Sequence, residues 1–221
     1  MAYLDFRNRI VSIVHGVLVM VFSLRELIRM GFQPCESQTT PPTYHVLIFS
    51  SSYFTYDLLA MLYFGLIDLD MTIHHISVSA GQLSNAFYGT ASHQWLYGML
   101  AGEISNPQMH LRVLLKHMGY RYARSYEVAE LLYFGTYIVG RMVGMQVLWV
   151  YVATCASQNI ITKAVITVAM LQSYQNVFRM VPIIKRRLKE MDERNAKKFT
   201  FDWFTPIPQK DLKQCDFYKA S

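Results

Sequence analysis

Long stretches almost free of charge alternate with short charged ones along this chain. Asp, Glu, Lys and Arg are nearly absent from 44–67, 73–102, 128–162 and 164–178, and they crowd between these stretches and toward the C-terminal end. A helix that sits in water needs a charged face along its whole length, whereas a bilayer core needs about 20 mostly apolar residues per helix. By that measure the pattern predicts an all-α membrane protein of six spans. The first runs from about Ile10 to Ile28, with no small-residue cleavage site after it, so it reads as a retained span rather than a signal peptide. The second covers Tyr44 to Ile67, after a loop marked by Pro34, Pro41 and Pro42, and the third Thr72 to Gly89. The fourth starts near Ser92 and meets Pro107, which removes a helix hydrogen bond and is expected to kink or break it. The fifth, Tyr126 to about Ser157, is longer than a bilayer requires, and the sixth runs from about Ile160 to Ile184.

Loop charges support this count. With six spans both termini share one side with the loops at 68–71 and 112–125, and that side receives seventeen of the 21 Lys and Arg. The asymmetry predicts termini on the inner, positive side of an intracellular membrane, either endoplasmic reticulum or mitochondrial inner membrane. Residues 7–187 then form the transmembrane domain and 188–221 a basic, aromatic tail. The tail is too short and polar to span, and is expected to dock on the domain's own surface or on a partner within a larger membrane complex.

Composition agrees without deciding the matter. Of 221 residues, 16% are charged and 52% hydrophobic, against about 25% charged in an average soluble domain. A compact soluble enzyme and a disordered or fibrous chain are excluded. The net charge of +6 does not point to nucleic acid, because the basic residues form no stripe with interleaved aromatics. Seven of them lie between Lys185 and Lys198, just after the last apolar run, where either anionic headgroups or water would receive them. Cys35, Cys155 and Cys215 form no CxxC pair and are odd in number, so reduced thiols are expected, with neither a disulfide framework nor a metal site. No cofactor is implied.

Ionisable groups inside spans are costly and usually face the bundle interior. Asp57, counted ten residues from the inner end of the second span, would lie about 15 Å deep. Glu103 and Arg141 also fall near mid-membrane, and Arg141 is expected to pair with Glu103 or Asp57. His15, His74 and His75 share a similar depth nearer the inner side. His75 is the better placed to face inward, since Ser79 and Gln82 continue its helical face. Ser50–Tyr53–Asp57, Glu103–Asn106–His110 and Gln172–Gln175–Asn176–Arg179 form comparable polar faces on other spans. Such faces cannot be left in hydrocarbon, so they are expected to converge on a polar cavity open toward the inner face, or else to meet in interhelical hydrogen bonds without one. Gly140 and Gly144 would permit close helix contact.

These residues also carry a family resemblance. Asn8-Arg9-Ile10-Val11-Ser12-Ile13-Val14-His15-Gly16, Tyr53-Phe54-Thr55-Tyr56-Asp57, His74-His75-Ile76-Ser77 and Gly102-Glu103-Ile104-Ser105-Asn106-Pro107, in this order, resemble the TLC (TRAM–LAG–CLN homology) domain family, especially its small members without an added N-terminal module. The resemblance runs from about 7 to 187 and includes Arg141. It implies a six-helix membrane barrel with a lipid-related cavity. In the ceramide synthases of this family, a His-His pair and a D-x-x-D motif serve transfer of an acyl group to an amine. His74 and His75 match the pair; Glu103 stands for the first aspartate, and Asn106 replaces the second with a group that cannot act as a base. The sequence therefore favours a lipid-binding or structural membrane protein, such as an accessory subunit of a larger complex. The alternative is an acyltransferase using His74 or His75 with Glu103. In either case His15, Asp57, Gln82, Asn106, Arg141, Gln172 and Asn176 are expected to line the polar cavity, and membrane lipids are the expected partners.

Overall fold

The structure is a computed structural model, described here for residues 2–199 and 202–219. Its regular elements are helical throughout those residues. They form six rods. α1 (Ala2–Met30), α2 (Pro41–Tyr63) and α3 (Leu69–Tyr88) are unbroken. The fourth rod is split into α4 (Ser92–Glu103) and α5 (Asn106–His117). The fifth joins α6 (Arg124–Tyr137) through a π-helical segment (Ile138–Gly144) to α7 (Met145–Thr154), and the sixth is the single α8 (Ile160–Ala196). Two short turns, α9 (Gln209–Leu212) and α10 (Asp216–Lys219), belong to the tail.

Local chemistry explains most of the ends. Pro41 and Pro42 occupy the first turn of α2, where a missing N–H costs nothing, and the Thr40 N–H donates to the Thr43 hydroxyl at 3.0 Å. Asp68 caps α3 by accepting from the Met71 N–H at 3.1 Å, and Gly89 closes it at φ +67°, a conformation that suits glycine. Asn159 caps α8 by accepting from the Thr162 N–H at 2.8 Å. Because α2 stops at Tyr63 instead of Ile67, Asp57 lies six residues, about 9 Å, from its C-terminal end.

The rods close into a ring. α2 packs against α1 and α3, α3 against α8, α8 against α7, α6 against α5, and α5 against α1. The fifth rod meets the fourth where the π segment crosses α4. Glycine makes that crossing possible, as the Gly140–Gly144 spacing predicted. A Cβ on Gly140 would stand 2.3 Å from the Ala101 carbonyl oxygen, and one on Gly144 would be 3.1 Å from Ala101 Cβ.

Polarity is distributed inside out. Val14, Val21, Leu59, Val139, Val143, Val147 and Phe178 are exposed on the outer surface of the ring, while Ser12, His15, Asp57, His75, Glu103 and Ser173 are buried. That much contiguous exposed apolar surface fits lipid rather than water. Among the described residues, three helices are long and apolar enough to cross a membrane: Leu4–Met30, Pro41–Tyr63 and the fifth rod, Arg124–Thr154.

Two expectations need correction. Cys35 and Cys155, 120 residues apart, form a disulfide, and only Cys215 is free. Chain spacing does not reveal this pairing, because the fold itself brings the α1–α2 loop onto the end of α7. Tyr151 donates to the Gln33 carbonyl at 2.8 Å, and Gln158 to the Cys35 carbonyl at 2.6 Å, beside the bridge.

The basic run at the end of α8 is also not uniformly solvated. Arg187 pairs with both Glu130 and Glu190, and Arg194 with Glu127 at 2.8 Å. Arg112 adds a contact to Glu130 at 3.1 Å, and Arg121 one to Glu190 at 3.3 Å. Burial alone would lower the Arg187 guanidinium, but its bonds to the Glu190 and Glu130 carboxylates hold it above its ordinary value. Helical period explains the division: 187, 190 and 194 fall on one face, and Lys185, Arg186 and Lys189 on the exposed one.

Candidate functional site

The ring encloses a cavity of about 520 Å³, lined mainly by side chains of α1, α2, α3, α5, α6 and α8. Nine of the ten residues expected at the site line it: His15, Asp57, His74, His75, Glu103, Asn106, Arg141, Gln172 and Asn176. Gln82 does not. It is fully buried between α3 and α2, where its amide donates to the Ser50 hydroxyl at 3.0 Å. The outward half of the His75–Ser79–Gln82 face thus joins two helices, while only its inward end reaches the cavity.

Asp57 has different partners from those expected. Its Oδ1 accepts from the Asn8 amide at 2.7 Å, and its Oδ2 lies 3.4 Å from His75 Nε2. Both groups are almost completely buried. His75 Nδ1 and His15 Nε2 find no hydrogen-bond partner among the described residues. His15 is held flat against Tyr53, with ring centroids 3.6 Å apart, and the Tyr53 hydroxyl donates to Ser12 at 2.8 Å. The α1 sequence around Asn8, Ser12 and His15 therefore supplies one wall of the site.

Arg141 is likewise not joined directly to a carboxylate. Its Nη2 donates to the Gly102 carbonyl at 2.8 Å and to the Asn106 amide oxygen at 3.4 Å, and Asn106 donates in turn to Glu103 at 2.8 Å. Asn106 is thus a bridge between a cation and an anion, a task its amide performs with both ends at once. The break before Pro107 makes the arrangement available. With the helix interrupted between Glu103 and Asn106, carbonyls at the end of α4 lose their usual partners and can accept elsewhere. Arg141 itself projects from the π segment, where the wider turn displaces the side chain from its α-helical bearing. Glu103 Oε2 sits 3.2 Å from where a Cβ on Gly16 would be, so the missing side chain there makes room for the carboxylate.

Toward the end of the ring where α2 turns into α3 the cavity wall is ionic. Asp70 pairs with Arg179, Asp5 with Arg9 at 2.9 Å, and Arg112 with Glu130. The Gln172 amide donates to the Asp70 carbonyl at 3.1 Å. Asn8, Arg9, Ser12, Arg112, Tyr133 and Tyr137 also line the cavity and were not expected there. Asn8, Ser12 and His15 follow one another at intervals of four and three residues, with Arg9 three residues before Ser12, which was a readable signal of the helical period. Tyr133 and Tyr137 share the same spacing on α6, but aromatic residues at that period read equally well as core. Among the described residues, no group of three or more His, Cys, Asp and Glu is placed to hold a metal ion.

The chain matches the TLC domain family over residues 5–185 and belongs to it. The match takes in 181 of the 221 residues. No curated protein and no solved structure matches it.

Proposed function

We propose that this TLC protein binds a membrane lipid, with the lipid's polar end in the cavity and all six rods crossing the bilayer. The observation that carries this reading is the combination of a polar cavity of about 520 Å³ with an apolar outer surface on the same ring. Cavities of this size are of the kind that hold small ligands. The fixed polar groups at its wall, Asp57, His75, Glu103 and the Arg141–Asn106 pair, suit a headgroup better than a bare acyl chain. The termini and the 68–71 loop lie on the inner side. The disulfide then falls on the opposite side, which fits an oxidising lumen such as that of the endoplasmic reticulum.

Purification in mild detergent with mass spectrometry of bound lipid tests the proposal. A stoichiometric lipid is expected, and it should be lost in Asn176→Phe, which fills the cavity. A wild-type protein free of lipid would overturn lipid binding. Stoichiometric co-purification with a larger complex would make the chain an accessory subunit.

The His75–Asp57 contact favours a second reading, acyl transfer from a thioester to an amine. Asp57 would orient His75, whose other imidazole nitrogen would take a proton as the amine attacks the thioester carbonyl and return it to the departing thiol. His74 and Glu103 line the same cavity and would position the two substrates. The absence of a carboxylate at Asn106 sets this site apart from ceramide synthesis, so the acceptor amine is left open to assay.

A further inference from the structure

The tail carries a surface that the cavity does not use. Its backbone caps α6: the Arg124 and Ser125 N–H groups donate to the Asp202 and Trp203 carbonyls at 3.0 and 3.1 Å. The Ile207 N–H returns to the Tyr122 carbonyl at 3.2 Å. Ile207, Leu212 and Cys215 are buried beneath it. The Arg124 guanidinium lies 5.1 Å over the Trp203 ring, and Phe204 meets Tyr120 edge-on at 6.0 Å. This scaffold holds two large aromatic side chains in the open, Trp203 at 51% and Phe204 at 66% exposure.

We propose that Trp203 and Phe204 form an anchor in the headgroup layer of the inner leaflet. Their level along the ring supports this. Leu131 and Leu132, the first large exposed apolar residues of α6, lie seven residues beyond Arg124, about 10 Å deeper. On α8, the Arg121–Glu190 ion pair places the tail-bearing loop level with Glu190, one turn or less from exposed Leu188. The headgroup layer is about 5–8 Å thick on each side of the hydrocarbon, so the tail's aromatic pair falls within or beside it. Tryptophan is enriched at that depth because its ring is apolar while its N–H needs a polar partner.

Charge is complementary as well. Lys185, Arg186 and Lys189 are exposed on the outward face of α8 and have no ion-pair partner among the described residues. Such residues beside a span attract anionic headgroups. A protein partner on this surface is the competing occupant. The depth of the aromatic pair and the basic residues at the same level favour lipid.

The inference rests on the bilayer placement above, and one experiment separates the two. Full-length protein is reconstituted in phosphatidylcholine–phosphatidylserine vesicles whose acyl chains carry bromine either near the headgroup or near the chain end. Trp203 emission is taken as the difference between wild type and Trp203→Phe, a change that keeps an aromatic ring. Shallow bromine is expected to remove at least about half of that difference signal, and deep bromine much less. A Trp203 signal that is insensitive to bromine, or quenched only by aqueous iodide, overturns the anchor. The emission remaining in Trp203→Phe comes from Trp95 and Trp149. Its quenching by deep bromine reports whether the ring spans the bilayer, independently of the tail.

Discussion

Asp57 and His75 face one another between α2 and α3, with a carboxylate oxygen 3.4 Å from Nε2 and the second oxygen held by Asn8 at 2.7 Å. A histidine so oriented can exchange a proton at its other nitrogen. Under the acyl-transfer reading, His75→Gln is expected to lower transfer from a labelled acyl thioester to an amine by about 100- to 10,000-fold. Asp57→Asn should fall with it, because the imidazole loses the group that orients it. Retention of full transfer activity in His75→Gln would assign this residue to structure alone.

At the crossing of the fourth and fifth rods, the space beside Gly140 is already taken by the Ala101 carbonyl and the Ile104 side chain. Gly140→Val is therefore expected to force the rods apart and to cost about 1–3 kcal/mol or more, read as a lower unfolding temperature in detergent. Gly135→Ala is the matched control, since nothing lies within 4 Å of its added carbon. Equal behaviour of the two variants would contradict the packing described.

The cysteines make a separate prediction. Cys215 is fully buried, and burial also pushes its thiol above the ordinary value, so little reactive thiolate forms near neutral pH. The native protein should resist a maleimide reagent, take one label when unfolded without reductant, and take three after reduction. Two or three labels without reductant would mean that the α1–α2 loop is not joined to α7. Reduction should destabilise the fold by about 2–4 kcal/mol.

The ion network between α6 and the end of α8 predicts a sharp contrast between neighbouring positions. Glu130 is buried and bonded to Arg187, Arg112 and the Tyr126 hydroxyl, which donates at 3.1 Å. Removing the carboxylate in Glu130→Ala takes from the buried Arg187 guanidinium one of its two counter-charges, the other being Glu190, and takes from Arg112 its partner, at a cost of about 3–5 kcal/mol. Arg186→Ala, one residue from Arg187 but on the exposed face, should change stability by no more than about 0.5 kcal/mol. Chemical or thermal unfolding of the two variants side by side measures the difference.

Legibility in the sequence followed the range of the interaction. The break near Pro107 was visible because a proline acts on its own helix. The inward set His75, Asp57, Glu103 and Asn106 was visible because polar positions recur at the helical period within otherwise apolar runs. Partners were not visible in this way. Arg141 was expected to meet a carboxylate directly, and instead bonds Gly102 and Asn106, because the break in the fourth rod offered a carbonyl and an amide closer at hand. Gln82 shares the face of His75 but ends between two helices, since periodicity gives a bearing on one helix and not the position of its neighbour.

The chain by itself therefore determined that long apolar helices sort their polar residues to one side, with a basic bias on the loops of one face. These are consequences of local geometry and of the cost of polar groups in hydrocarbon. Only the tertiary structure decided which polar groups meet, that Cys35 finds Cys155, and that Arg187 turns inward while Arg186 stays exposed. It also decided where the tail lies. Those outcomes depend on how six rods close into one ring, which brings together residues as much as 123 positions apart.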